Sequence, residues 1–206
     1  MIFLTVLVVD YVCPFPFSWL ALLVGAVLDW RRAKNRKVRL LYSLLYLYLA
    51  LGLLPLPRHV SPPEVIIYKS SRELRYGDKK IRIGLGNHPD GQKLEEGDGK
   101  TPEGSYQVCS KEEGTHFGLW IGLDYPSRQD AWAGRLHNQI SWLELTRWNW
   151  FWRSEPPQTT RLGGQVGIHG GGSRRNWTLG CVALDDTDIK ELFQLLPVGA
   201  WVEIRP

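Results

Sequence analysis

The 206-residue sequence predicts a mainly β domain with one marked helix, preceded by one or two N-terminal transmembrane helices. Three observations carry that expectation. Most of the apolar excess stands before Pro57, in the runs Met1–Leu28 and Leu40–Leu56. From Val65 onward, short apolar segments are broken by Gly, Asn, Asp and Ser, the punctuation of strands and turns. Close to the C-terminus a single stretch places apolar residues at helical spacing.

The N-terminal region, 1–57, divides into apolar segments at about 1–28 and 38–57 around a basic loop at 29–37. "DWRRAKNRKVR" carries Arg31, Arg32, Lys34, Arg36, Lys37 and Arg39. Removing those six from the 25 Lys and Arg leaves 19 against 21 Asp and Glu. The basic balance is therefore local, which argues against a nucleic-acid surface. Val38–Leu54 would span roughly 25 Å as a helix, and extension to Pro57 brings it to the ~30 Å of a hydrocarbon core. The first segment holds Asp10 and is broken by Pro14 and Pro16. The positive-inside rule keeps the basic loop cytoplasmic and places everything after Leu56 outside. Arg31–Gly52 also reads as a signal peptide, which exports the same domain.

A linker follows at 58–64, and the domain proper runs from 65 to 206. "VIIYKS" and "ELRY" read as strands around a turn at Ser70–Ser71. "YGDKKIRIGLG" adds a turn at Gly77–Asp78 and a further strand. Residues 87–104 form a long polar loop. "SYQVCS", "THFGLWIGL", "GGQVGIHG" and "CVAL" are further strands, and 135–161 is irregular and aromatic. Asp185 or Asp186 caps the helix, with Asp188 in its first turn and Ile189, Leu192, Phe193 and Leu196 on its apolar face. "AWVEIRP" closes the chain as a strand. No internal repeat is present.

The stretch "GIHGGGSRRNWTLGCVAL" (Gly167–Leu184) concentrates the chemistry. No His or Cys falls at a metal-ligand spacing, so no metal and no cofactor is expected. "HGGG" lacks the G-x-S-x-G elbow of a lipase, and the glycines lead to no helix that would cradle a phosphate. A thiol nucleophile with an imidazole base fits better: His169 and Cys181 close two successive strands, and a hairpin-like connection would bring them face to face. The Gly170 carbonyl is placed to orient the imidazole, and Gly180 lets backbone N–H groups approach an oxyanion. The residues alone also allow a buried, inert cysteine. Of the three cysteines, Cys13 lies in the first apolar segment, and Cys109 reads as a core residue of a strand. A lone pair, Cys109 and Cys181, is a weak disulfide signal.

"IHG…TLGCVAL…DIKELFQLLPVGAWVEI", with "GDGKTPEGSY" and "IGLDYPSRQDAWAG" upstream, resembles the L,D-transpeptidase catalytic domain family of YkuD type. It lies nearest the branch with W-T-x-G-C-x-A around the cysteine. The resemblance runs in order from about Val65 to Ile204 and implies a β-sandwich-like domain. It makes Cys181 the nucleophile, His169 the base and the Gly170 carbonyl its orienting group. Gly180 and Cys181 would supply the oxyanion hole, and Thr178 takes the family's Ser/Thr position. The implied partners are peptidoglycan stem peptides, with an envelope lipoprotein as an alternative, and the membrane through the N-terminal segments. The implied place is the bacterial cytoplasmic membrane, with the domain on the outer, periplasmic face. The implied reaction passes a thioester acyl group to an amine, giving a transpeptidase, or to water, giving a hydrolase or carboxypeptidase. Leu179 stands where many members have a second histidine, and Ala183 where many have Arg or Asn. Those departures keep a non-catalytic envelope binding module as the competing reading. Arg174 and Arg175, between base and nucleophile, are candidates for a substrate carboxylate. The cluster Trp142, Trp148, Trp150 and Trp152 is a candidate lid, membrane contact or packed loop.

Overall fold

The computed structural model describes residues 35–52, 62–141, 144–145 and 156–206. The expectations for segment 1–28, for the start of the basic loop, for 53–61 and for the tryptophan cluster lie outside those residues. Helix α1, Arg36–Gly52, begins where the Asn35 side chain accepts the Lys37 N–H at 2.9 Å. It exposes Leu40, Leu41, Leu44 and Leu47. Among the described residues no helix is long and apolar enough to cross a membrane.

Among the described residues eight strands form one curled sheet: β1 (Val65–Tyr68), β2 (Glu73–Tyr76), β3 (Lys79–Arg82), β4 (Gly104–Thr115), β5 (Gly118–Leu123), β6 (Gly167–His169), β7 (Val182–Ala183) and β8 (Trp201–Arg205). Their order is β3-β2-β1-β8-β4-β5-β6-β7. In place of the two stacked sheets of a sandwich, one sheet turns on β4. Its first residues, Gly104–Gln107, pair with β8, and from Val108 on it pairs with β5. Register shifts after Val108 and after Glu112 mark the bend, since an extra residue twists a strand locally. Beyond β3, Gly84 exchanges both backbone hydrogen bonds with Ala183, at 2.8 Å each, and Gly86 bridges Thr178. The curled sheet thus comes back onto its own last strand.

Alternation explains the core. Val65 and Ile67, Leu74, Ile81, Val202 and Ile204, Tyr106 and Val108, Ile121 and Leu123, Ile168 and Val182 all point inward. Helix α3 (Asp186–Leu195) lays Ile189 and Leu192 on this core, with Leu196 just past its end. Its N-cap, Asp185, makes no side-chain cap bond, because its carboxylate is used elsewhere.

Helix α2 (Arg128–Leu136) was not expected from the residue pattern. Ser127 and Asp130 form a reciprocal capping box: the Ser127 N–H donates to Asp130 Oδ2 at 2.7 Å, and the Asp130 N–H to Ser127 Oγ at 3.3 Å. The Ser-x-x-Asp spacing was the signal for it.

Candidate active site

β6 and β7 run parallel, so the segment between them is a crossover rather than the expected hairpin-like turn. Ile168 pairs with Val182 and His169 with Ala183. One step back, Cys181 falls level with Gly167, two residues before His169. Side chains two apart leave the same face of a sheet, so His169 and Cys181 share a face. Both line one cleft of about 940 Å³.

His169 is 1% exposed. Its Nδ1 lies 2.6 Å from the Gly170 carbonyl oxygen. A carbonyl only accepts, so Nδ1 carries the proton and Nε2 is the free acceptor. Phe117 stacks on the ring at 4.1 Å between centroids, Trp120 lies parallel to it at 5.8 Å, and Trp177 meets it edge-on at 5.6 Å. Burial lowers the His169 pKa, against an opposing pull from the Gly170 carbonyl, so the imidazole is held neutral.

The Cys181 thiol donates to the Gln165 carbonyl at 3.5 Å. Burial pushes it up to about 11, opposed by a backbone hydrogen bond from Gly167 and by the charge of Lys93. The resting pair is therefore a neutral thiol beside a neutral imidazole. Gln165 presents its carbonyl from a left-handed backbone, φ 52°, which is costly for a side chain and points to a held geometry.

The turn before the cysteine is fixed by Thr178. Its hydroxyl donates to the Cys181 carbonyl at 2.7 Å and accepts the Gly180 N–H at 3.2 Å. Thr178 lines the cleft, yet its hydroxyl is engaged inside the chain. Gly180 sits at φ 146°, and a Cβ there would stand 2.9 Å from the Lys100 carbonyl. Only glycine fits.

The crossover is anchored from both sides. Asp186 accepts the Gly171 N–H at 3.0 Å, and Asp185 accepts that of Ser173 at 2.9 Å. From β2's preceding turn, Arg72 donates to the Ser173 carbonyl at 2.6 Å. Trp177 Nε1 donates to the Gly172 carbonyl at 3.1 Å. Arg174 and Arg175 are exposed and do not line the cleft. Leu179, 74% exposed, stands at its mouth.

Sequence reasoning missed Lys93, Phe117, Trp120 and Gln165. Trp120 faces His169 across the β5–β6 pair, a placement that register alone decides. Cys109, read as a core residue, is half-buried and lines the same cleft; neither it nor Cys181 is in a disulfide.

A family model described as YkuD, the L,D-transpeptidase catalytic domain, matches residues 60–204. Among curated proteins no sequence matches the chain. Similar solved structures include the helical cell shape determining protein Pgp2 from Campylobacter jejuni, 20% identical over 77% of this chain and 54% of that one, TM-score 0.48. An L,D-transpeptidase from Xylanimonas cellulosilytica is 19% identical over 74% of this chain and 64% of that one, TM-score 0.40. One from Mycobacterium tuberculosis is 13% identical over 70% and 58%, TM-score 0.41. The chain spans less than two thirds of the length of each.

Proposed function

The chain belongs to the L,D-transpeptidase catalytic domain family, and on that premise we propose that it is a cysteine-dependent peptidoglycan L,D-transpeptidase. The observation that carries the reading is the shared face of Cys181 and His169, with the imidazole oriented by the Gly170 carbonyl.

Because the resting thiol and imidazole are both neutral, the proton moves as the bond forms. His169 Nε2 takes the Cys181 proton while Sγ attacks the carbonyl of the L,D bond between the diamino acid and the terminal D-alanine of a tetrapeptide stem. The tetrahedral oxyanion is met by the backbone N–H of Cys181, while the Gly180 N–H is taken by the Thr178 hydroxyl, which fixes the turn. Collapse expels D-alanine, whose amine takes the proton from His169, and leaves a thioester on Cys181. An acceptor amine, deprotonated by His169, then attacks the thioester and restores the thiol. The N-terminal segments hold this domain on the outer, periplasmic face of the bacterial cytoplasmic membrane.

A second reading, hydrolysis, is favoured by Leu179 at the cleft mouth and by Ala183, which is buried and does not line the cleft. Neither offers a polar group to seat an acceptor amine, and water needs none. The lipoprotein–peptidoglycan link is one substrate such a hydrolase would cut.

The test is incubation of the full chain with disaccharide-tetrapeptide, read by product mass, beside Cys181→Ala and His169→Ala. Cross-linked dimers that require Cys181 establish the transpeptidase. Loss of D-alanine alone establishes the carboxypeptidase. Removing the histidine slows either by about 10²- to 10⁴-fold. Product formed equally by Cys181→Ala sinks the thioester mechanism. No product from any form leaves the lipoprotein-link hydrolase and the binding module, and that link becomes the next substrate.

A further inference from the structure

Lys93 is a buried cation on the cleft wall that the proposed steps leave unused. It is 5% exposed, in the polar loop before β4. Burying an ammonium is costly unless it is paired, and Asp98 pairs it at 2.7 Å while the Glu95 carbonyl accepts at 3.0 Å. The Asp98 carboxylate is turned into its own loop, accepting the N–H groups of Leu94 at 2.9 Å, Glu95 at 3.3 Å and Lys100 at 3.0 Å. The lysine stem instead runs along the nucleophile's turn. Its Cδ lies 3.9 Å from the point a Gly180 Cβ would occupy, and its Cε 3.4 Å from the corresponding point of Gly163. Lys93, Gly163, Gly180 and Cys181 all line the cleft. A lysine serving only to fasten its loop has no need of that path.

We infer that Lys93 is a positioning residue for the thiol chemistry: held by Asp98, its ammonium stabilises the Cys181 thiolate as the proton leaves for His169. The inference rests on Cys181 being the nucleophile. The other titratable groups facing the cleft are His169, which is held neutral, the half-buried Cys109 thiol, which is uncharged when protonated, and Glu96, Glu112 and His116, which are exposed and screened by water. The direction of Lys93's pull on the thiol agrees, since its charge opposes the effect of burial.

The experiment is iodoacetamide labelling of the full chain between about pH 6 and pH 11, quantified on the Cys181 peptide by mass spectrometry. In Lys93→Met the labelling profile shifts to higher pH, so that the rate at a fixed pH near 8 falls about three- to tenfold. Lys93→Arg returns it to within about twofold of the parent. Asp98→Asn, which frees the lysine of its opposing charge, shifts the profile to lower pH. The double variant K93M/D98N leaves no buried carboxylate unpaired, which protects the fold, and slows labelling relative to the parent but less than Lys93→Met does. An unchanged profile in Lys93→Met or in the double variant overturns the inference. So does slowing by Asp98→Asn, because loop damage rather than field would then explain both. Cys181-dependent product from the parent with Lys93-independent labelling sinks only this inference. Cys181 labelling that is slow in the parent and unaffected by His169→Ala sinks the nucleophile itself.

Discussion

The two halves of the sheet follow different rules. Around β8, the strands β1, β2, β3 and the start of β4 hold unbroken registers, with apolar residues alternating inward. From the middle of β4 to β7 the pairing carries two register shifts and ends in a strand of two residues. That half buries His169, Ser173 and Thr178, each tied to backbone or oriented by it. The difference teaches where rigidity comes from. In the first half it comes from repetition, which any well-packed apolar residue satisfies. In the second it comes from individual hydrogen bonds that admit few substitutes, and those aim a thiol and an imidazole into one cleft.

The sharpest way to break this contrast is to make one substitution in both halves. Gly180→Ala puts a Cβ against the Lys100 carbonyl at an unfavourable φ, displacing Cys181; turnover by the proposed mechanism should fall by about 100-fold or more. Gly77→Ala in the β2–β3 turn has φ 55° but meets nothing within 4 Å. It costs roughly 1 kcal/mol of stability and leaves turnover unchanged. Equal losses of turnover would erase the distinction between the halves.

Leu74→Ala empties part of the regular half's core. Urea unfolding should register a loss of about 2–5 kcal/mol, with turnover per folded molecule intact. A fall in turnover with folding preserved would mean that the halves are coupled. The smallest effect is on pH dependence. In the proposed mechanism His169 must be neutral, and burial lowers its pKa, so the acid limb of the rate profile should have its midpoint below the usual 6.5. Phe117→Ala opens the stacked face of the ring to water and moves that midpoint upward, by under about one unit. A midpoint already above 6.5 in the parent would show that burial does not govern the base.

The regular half was the legible one. Alternation placed β1 and β2 about the Ser70–Ser71 turn, β3 after Gly77, and β8 at the C-terminus, and the face Ile189, Leu192 and Leu196 located α3. In the irregular half the sequence put His169 and Cys181 at strand ends, but it suggested a hairpin where the strands run parallel. Direction is set by which strands flank a pair, and no local pattern encodes that. Trp120 and Lys93 stayed hidden for the same reason: each reaches the site from a segment distant in sequence. The Asp185 and Asp186 carboxylates were legible as helix-start residues. Their use in fastening the crossover was not, because an acceptor's partner depends on what the chain brings near it.

The bridges from Gly84 and Gly86 to β7 have one further consequence. A two-residue strand directly after Cys181 would ordinarily be an open edge, and an open edge invites any extended peptide to join it by backbone pairing. Here that edge is already occupied by the chain itself. An extended peptide entering the cleft cannot join this edge as an added strand, so any selection among peptides falls to the side chains of the cleft wall. At the other end of the sheet β3 carries Lys80 and Arg82, exposed charges that discourage stacking against another sheet, while Lys79 is paired with Glu191 and Asp188 of α3.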